Sequence, residues 1–171
     1  GIEYMSQIEK KVNTIQFNYF RDGEIVNVKY RDSQKNFKLF GGAELIFYNI
    51  DCLKDFDEVI IVEGEMDALT LWECGFKNVI SVPNGANLNR NNLVYLDNCI
   101  DLFKEDTKII LALDNDKAGN NLRDELARRF GFEMCSKVVF KDCKDANECL
   151  ITYGTQGVAE CLKNREEYPL E

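Results

Sequence analysis

Val59-Ile60-Ile61-Val62-Glu63-Gly64-Glu65-Met66-Asp67 is the stretch whose reading decides the fold. Its opening run of β-branched residues is what a strand buried on both faces requires. The run ends abruptly in a carboxylate and a glycine. From Met66 onward the apolar residues Ala68, Leu69, Leu71 and Trp72 take helical spacing, and Gly75 stands where a helix would stop. A strand that turns directly into a helix sets Glu63 at the carboxyl edge of a parallel sheet. That edge is where open α/β folds bind ligands.

The design recurs downstream. Lys108-Ile109-Ile110-Leu111-Ala112-Leu113 reads as a second buried strand, ending in Asp114-Asn115-Asp116. Lys117-Ala118-Gly119 then leads into a helix with Ala118, Leu122, Leu126 and Phe130 on one face and Gly131 past its end. Side chains alternate along an extended segment, so Asp114 and Asp116 point the same way. If the two strands are neighbours, Glu63, Asp67, Asp114 and Asp116 converge in one crevice. The sequence contains no histidine. Close carboxylates of this kind repel one another unless protons or hard cations neutralise them, and oxygen-only ligation suits Mg²⁺ or Mn²⁺.

Glu63-Gly64-x-x-Asp67 and Asp114-x-Asp116-x-Ala118-Gly119 together resemble the acidic motifs of the toprim domain. Their wording is most similar to that of phage-type replicative primase-helicases and their mitochondrial relative Twinkle. The resemblance runs from Asn18 to Leu150. It takes in Tyr19-Phe20-Arg21-Asp22-Gly23 to Asp32, Lys35-Asn36-Phe37-Lys38, Ser81-Val82-Pro83-Asn84-Gly85-Ala86 and Lys144-Asp145-Ala146-Asn147-Glu148-Cys149. It implies a Rossmann-like, mainly parallel sheet with helices on both faces, an α/β fold. The same class follows from the alternation of strands (59–63, 78–82, 108–113, 136–140) with helical segments.

Ahead of the sheet, residues 15–50 read as antiparallel. Arg21-Asp22-Gly23-Glu24 is a hairpin signal, Ile25–Tyr30 alternates, and Arg31-Asp32-Ser33-Gln34 is a second turn. Asn36–Phe40 is a third strand, and Gly41-Gly42 a third turn before 45–49. The expected organisation is a lead segment over 1–14, a short helix or disordered, then a small antiparallel subdomain over 15–56 and a toprim catalytic domain over 57–165. Asn89–Phe103 reads as a helix with Leu93, Leu96 and Ile100 inward. Thr155–Lys163 reads as a last short helix, and 164–171 as a frayed end.

Within the antiparallel subdomain Lys29, Arg31, Lys35 and Lys38 read either as a solvated face guarding an edge or as phosphate ligands. The resemblance implies the second: basic residues there hold template or nucleotide phosphates beside the carboxylates. Lys35 and Lys38 lead towards the acidic edge, while Tyr30 and Phe37 read as core in preference to base-stacking platforms. The loop Pro83–Asn87 also exits at the carboxyl edge, so Asn84 is a candidate phosphate contact, with a plain turn as the alternative. Asp145-x-x-Glu148 is a capping-box pattern, and the resemblance also implies a metal-shell acid at Asp145.

The net charge is −9 over 171 residues, and 45% of the residues are apolar, which suits a folded chain. Residues 1–50 carry seven Lys/Arg against six Asp/Glu, so the acidity lies in the half assigned to metal binding. No strongly basic patch stands out, which argues against tight independent DNA binding. The seven cysteines include no C-x-x-C pair and are expected as packed thiols. No run is long enough for a membrane span, so a soluble, cytoplasmic protein is expected. Neither a helicase phosphate loop nor a cysteine zinc ribbon is present, and the chain is expected to be the core of a larger protein.

The resemblance therefore implies a DNA primase core: a nucleotidyltransferase of DNA replication that joins nucleoside triphosphates into RNA primers on single-stranded DNA. Its partners would be template, nucleotides and a replicative helicase, fused or separate. Glu63, Asp67, Asp114 and Asp116 are the expected catalytic residues. Glu63, Asp114, Asp116 and Asp145 are the expected metal residues, with Glu63 either a ligand or a general acid/base. The alternatives are a toprim nuclease and a non-catalytic module that docks a helicase.

Overall fold

The computed structural model describes residues 1–86 and 93–169. It opens with a four-stranded antiparallel sheet in the order β1-β2-β3-β4: β1 (Ile2–Met5), β2 (Lys10–Arg21), β3 (Glu24–Asp32) and β4 (Phe37–Leu39). The β2–β3 turn needs only Asp22 (φ 53°) and Gly23 (φ 78°), with Arg21 opposite Glu24. Two left-handed residues match the right-handed twist of the strands, hence Asp-Gly. The lead segment is neither helical nor disordered. Its strand β1 pairs with β2 because Ile2–Met5 completes a sheet edge, and Met5 is fully buried.

Residues 45–49 do not form the expected strand. They contribute a single antiparallel bridge, Tyr48 to Ser81, while Ile46 and Phe47 enter the core. A 3₁₀ turn over Ile50–Lys54 then leads to the second sheet.

That sheet has five strands in the order β6-β5-β7-β8-β9. Its elements along the chain are β5 (Glu58–Val62), α1 (Glu65–Glu73), β6 (Val79–Ser81), α2 (Val94–Cys99), β7 (Lys108–Leu111), α3 (Lys117–Phe130), β8 (Cys135–Lys137), α4 (Ala146–Lys163) and β9 (Glu166–Glu167). Strands β5 to β8 are parallel, as expected; β9 runs antiparallel against β8, so the segment read as frayed pairs in part. The helix expected over 89–103 is described only from Leu93. Residues 94–99 are helical with Leu96 buried, whereas Ile100 is 43% exposed on a following 3₁₀ turn. The two helical segments expected near the end merge into one helix, α4, kinked at Gly154.

Alternation along β5 divides the core. Val59 and Ile61 face one layer with Leu122 and Leu126 of α3, Leu96 of α2, and Phe17 and Tyr19 of the antiparallel sheet. Ile60 and Val62 face the other with Ala68 and Leu71 of α1 and Cys149 and Val158 of α4. Helices thus cover both faces, and the antiparallel sheet closes over one of them. All seven cysteines are free thiols, six of them buried.

Candidate functional site

Strand β5 lies between β6 and β7, with Ile61 beside Leu111, so the chain crosses to either side of it. Such a switch point opens a crevice at the carboxyl ends of the strands. Glu63 leaves β5 and Asp114 follows β7 at this edge. A groove of about 630 Å³ runs over it, lined by Glu63, Asp67, Asp114 and Asp145 from the parallel sheet's edge and by Arg31, Lys35 and Phe37 from the antiparallel sheet.

The motif glycine of Asp114-x-Asp116-x-Ala118-Gly119 has a steric cause. A Cβ on Gly119 would lie 2.1 Å from the Asp114 carbonyl oxygen and 2.9 Å from Glu63 Oε1. Only glycine lets the first turn of α3 seat against both acidic strand ends.

Three carboxylates meet: one oxygen each from Asp67, Asp114 and Asp145 lies within 4.8 Å of the other two. Asp67 stands in the first turn of α1 and accepts from the Asn147 backbone N–H at 3.2 Å. Asp145 caps α4, accepting from the Glu148 N–H at 2.8 Å, and Glu148 accepts from the Lys144 N–H at 2.6 Å. Capping and membership of the acidic group are therefore compatible at Asp145. Asp116 is not in the group. Its Oδ1 caps α3, accepting from the Gly119 N–H at 2.7 Å, while its Oδ2 faces Lys144. Lys144 Nζ sits 3.8 Å from both Asp114 and Asp116.

These acids are held away from their ordinary titration range. Burial, then repulsion from Asp114 and Asp116, pushes Glu63 up to about 8. Burial and the charges of Asp145 and Asp114 raise Asp67 to about 7. Asp114 rises to about 6 through burial and Asp145, with Lys144 opposing. Among the described residues, Glu63 Oε1 is buried without a hydrogen-bond partner. A set of oxygen donors with an orphaned buried oxygen beside it fits a hard divalent cation.

The basic wall differs from its expectation. Lys29 is 6% exposed, and its ammonium is already engaged by Glu65 Oε1 at 2.8 Å and the Pro83 carbonyl at 2.7 Å. The Tyr19 hydroxyl donates to the same Glu65, and burial together with that carboxylate holds the phenol well above its usual range. Lys29 is thus held in an ion pair, and it too lines the groove. Lys38 sits one residue from Phe37 and so on the opposite face of β4, where it pairs with Glu3 at 3.2 Å. Arg31, Lys35 and Asn84 do line the groove. Phe37, expected in the core, is 42% exposed on the groove wall.

Sequence reasoning missed Glu65, Lys144 and Asn147 as parts of the site. The clue to Glu65 lay in β3, where Asn27 and Lys29 are buried while Val28 and Tyr30 are only half-buried. A polar residue on the inward phase of a strand demands a buried partner.

Residues 60–150 match the model of the Toprim-like family. The chain is 37% identical to a primase homolog protein of Arabidopsis thaliana, over 92% of this chain and 52% of that protein. It is 36% identical to the chloroplastic/mitochondrial Twinkle homolog protein of the same plant, over 91% of this chain and 24% of the relative. The chain thus spans about half the length of one relative and a quarter of the other. Among solved structures, it superposes with a TM-score of 0.73 and 27% identity on a bacteriophage T7 primase domain, covering 90% of this chain and 78% of that one. That primase was solved with the phage's lagging-strand DNA polymerase, an RNA/DNA hybrid and dTTP.

Proposed function

Because the chain belongs to the Toprim-like family, we propose that it is the catalytic core of a DNA primase. Its reaction is metal-dependent transfer of ribonucleotides to a growing primer on a single-stranded DNA template. The observation that carries this reading is the convergence of Asp67, Asp114 and Asp145 beside the orphaned Glu63 oxygen, in one groove with Arg31 and Lys35. The primase names of its relatives support it, as does the nucleotide and hybrid in the T7 primase structure.

Asp67, Asp114 and Asp145 would hold Mg²⁺ or Mn²⁺, which when bound supplies Lewis-acid stabilisation of charge on the phosphoryl oxygens and the leaving pyrophosphate. Asp116 acts behind them, fixing α3 against Asp114. Arg31 and Lys35 neutralise the nucleotide or template phosphates, and Asn84 contributes from the facing loop. The 3′-hydroxyl attacks the α-phosphorus, its proton is taken up at a carboxylate, and pyrophosphate departs. Glu63 is placed for that proton, since its raised affinity suits acid–base work near neutrality. A replicative helicase, fused or separate, is the natural partner of such a core. The compartment is the one that holds the DNA being copied; the cytoplasmic expectation is one instance of it.

The test uses the full-length protein with single-stranded template, labelled nucleotides and Mg²⁺ or Mn²⁺. Glu63→Gln keeps the shape and removes the charge, and primer synthesis should fall by at least ~100-fold. Separately, Mn²⁺ binding followed by water-proton relaxation should be lost in Asp67→Asn with Asp114→Asn. Near-normal synthesis by Glu63→Gln removes it from the chemistry. Template cleavage without synthesis selects the nuclease instead, and Mn²⁺ binding that survives both Asn substitutions rejects the site.

A further inference from the structure

We propose that Phe37 is the stacking surface for the base of a nucleoside triphosphate whose phosphates face the acidic group. This inference rests on the primase reading and adds to it the residue that would recognise a base.

A large ring facing solvent on a groove wall forgoes burial that most phenylalanines obtain. Phe37 is 42% exposed, whereas Lys38 and Leu39, its neighbours on β4, are half-buried. Pairing explains why it faces the groove: Phe37 lies opposite Arg31, and Leu39 opposite Lys29, all four on the groove side. One face of the ring is already covered, because Lys29 Nζ stands 4.5 Å from its centroid. The Arg31 guanidinium also stands over the ring, 5.7 Å from its centroid. Phe37 nonetheless keeps 42% of its surface exposed on the groove lining, where a planar partner can rest against it.

Position completes the argument. The ring shares the groove with Arg31 and Lys35 and with the carboxylates. A volume of about 630 Å³ is of the size that holds one small ligand. A mononucleotide would thus meet cations beside its phosphates and an aromatic plane beside its base. Lys29 beneath the ring is itself fixed by Glu65 and Pro83, so the platform is rigid. Base–aromatic stacking tolerates every base, so Phe37 would position nucleotides without choosing among them.

The experiment compares equilibrium binding of ATP and of inorganic tripolyphosphate to this chain in Mn²⁺, for the unaltered protein and for Phe37→Leu and Phe37→Trp. Leucine keeps an apolar cover over Lys29 but has no π-face. Phe37→Leu should weaken ATP on the order of 10-fold and leave tripolyphosphate as it was, while Phe37→Trp should retain ATP. Equal loss of both ligands would mean that the ring only packs Lys29, and unchanged ATP affinity would mean that no base rests there. Either result overturns the proposal and leaves the metal site standing. If neither ligand binds the unaltered chain, or if Asp67→Asn with Asp114→Asn changes neither, the primase reading fails and the stacking role falls with it.

Discussion

Glu63 and Glu65 are two residues apart, on either side of Gly64, and they handle burial in opposite ways. Glu65 is only 3% exposed, yet Lys29 and Tyr19 satisfy it completely. Glu63 is less deeply placed, but it has an orphaned oxygen and two aspartates for neighbours, and its proton affinity rises to about 8. Depth of burial does not separate a structural carboxylate from a chemical one; the partner supplied by the rest of the fold does. The first pins the antiparallel sheet and the Pro83 loop to the start of α1. The second is buried beside like charges, Asp114 and Asp116, and among the described residues its Oε1 has no partner to offset them.

The largest expected effect comes from breaking the satisfied side of this contrast. Lys29→Met alone strands a buried carboxylate, and urea unfolding should show a loss of about 3–5 kcal/mol. Combining it with Glu65→Leu and Tyr19→Phe removes every partner but the Pro83 carbonyl and should recover most of that loss. A cost below ~1 kcal/mol for Lys29→Met would show that the pair behaves like a surface bridge and that the contrast is false.

The unsatisfied side should show itself in pH. Glu63, Asp67 and Asp114 bind protons more tightly when folded, at about 8, 7 and 6, than unfolded carboxylates do near ~4. A raised affinity stabilises the fold at low pH, and the stabilisation drains away as pH rises through those three values. With a chelator present, the urea midpoint should fall between about pH 5 and about pH 8.5. Millimolar Mg²⁺ should flatten the decline by binding only the folded state. Asp114→Asn should flatten it too, without metal. A midpoint that climbs with pH would mean the carboxylates are already compensated.

The smallest effect sharpens the basic wall. Lys35→Ala should weaken nucleotide or template binding and reduce its salt slope by ~1, the signature of one phosphate contact. Lys38→Ala should leave both unchanged, since it pairs with Glu3 on the other face of β4. Equal effects of the two would return these lysines to a diffuse field.

Much of the fold was legible because it rests on local rules. Apolar β-branched runs must be buried, Asp22-Gly23 must turn tightly, and Asp145-x-x-Glu148 must start a helix; the structure shows each. The acidic edge followed as well, since parallel strands joined by helices bring their carboxyl ends together. Facing was harder. A one-residue offset on β4 sends Lys38 away from the groove and Phe37 into it, and pleating alone does not say which face the core will claim. The lead strand and β9 were illegible for a related reason: each is only two to four residues long, and forms only because a sheet edge is waiting for it.

By itself the sequence determined that Glu63, Asp67, Asp114 and Asp116 stand at strand-to-helix turns, and so converge once the two strands are neighbours, because strand, turn and helix are set by residues a few positions apart. Only the tertiary structure decided what each acid does there. Asp145 joins Asp67 from 78 residues further along the chain, Asp116 turns back to cap α3, and Glu65 is neutralised by a lysine from another sheet. A carboxylate's charge, protonation and role depend on what stands within a few ångströms of it, and those neighbours come from distant parts of the chain.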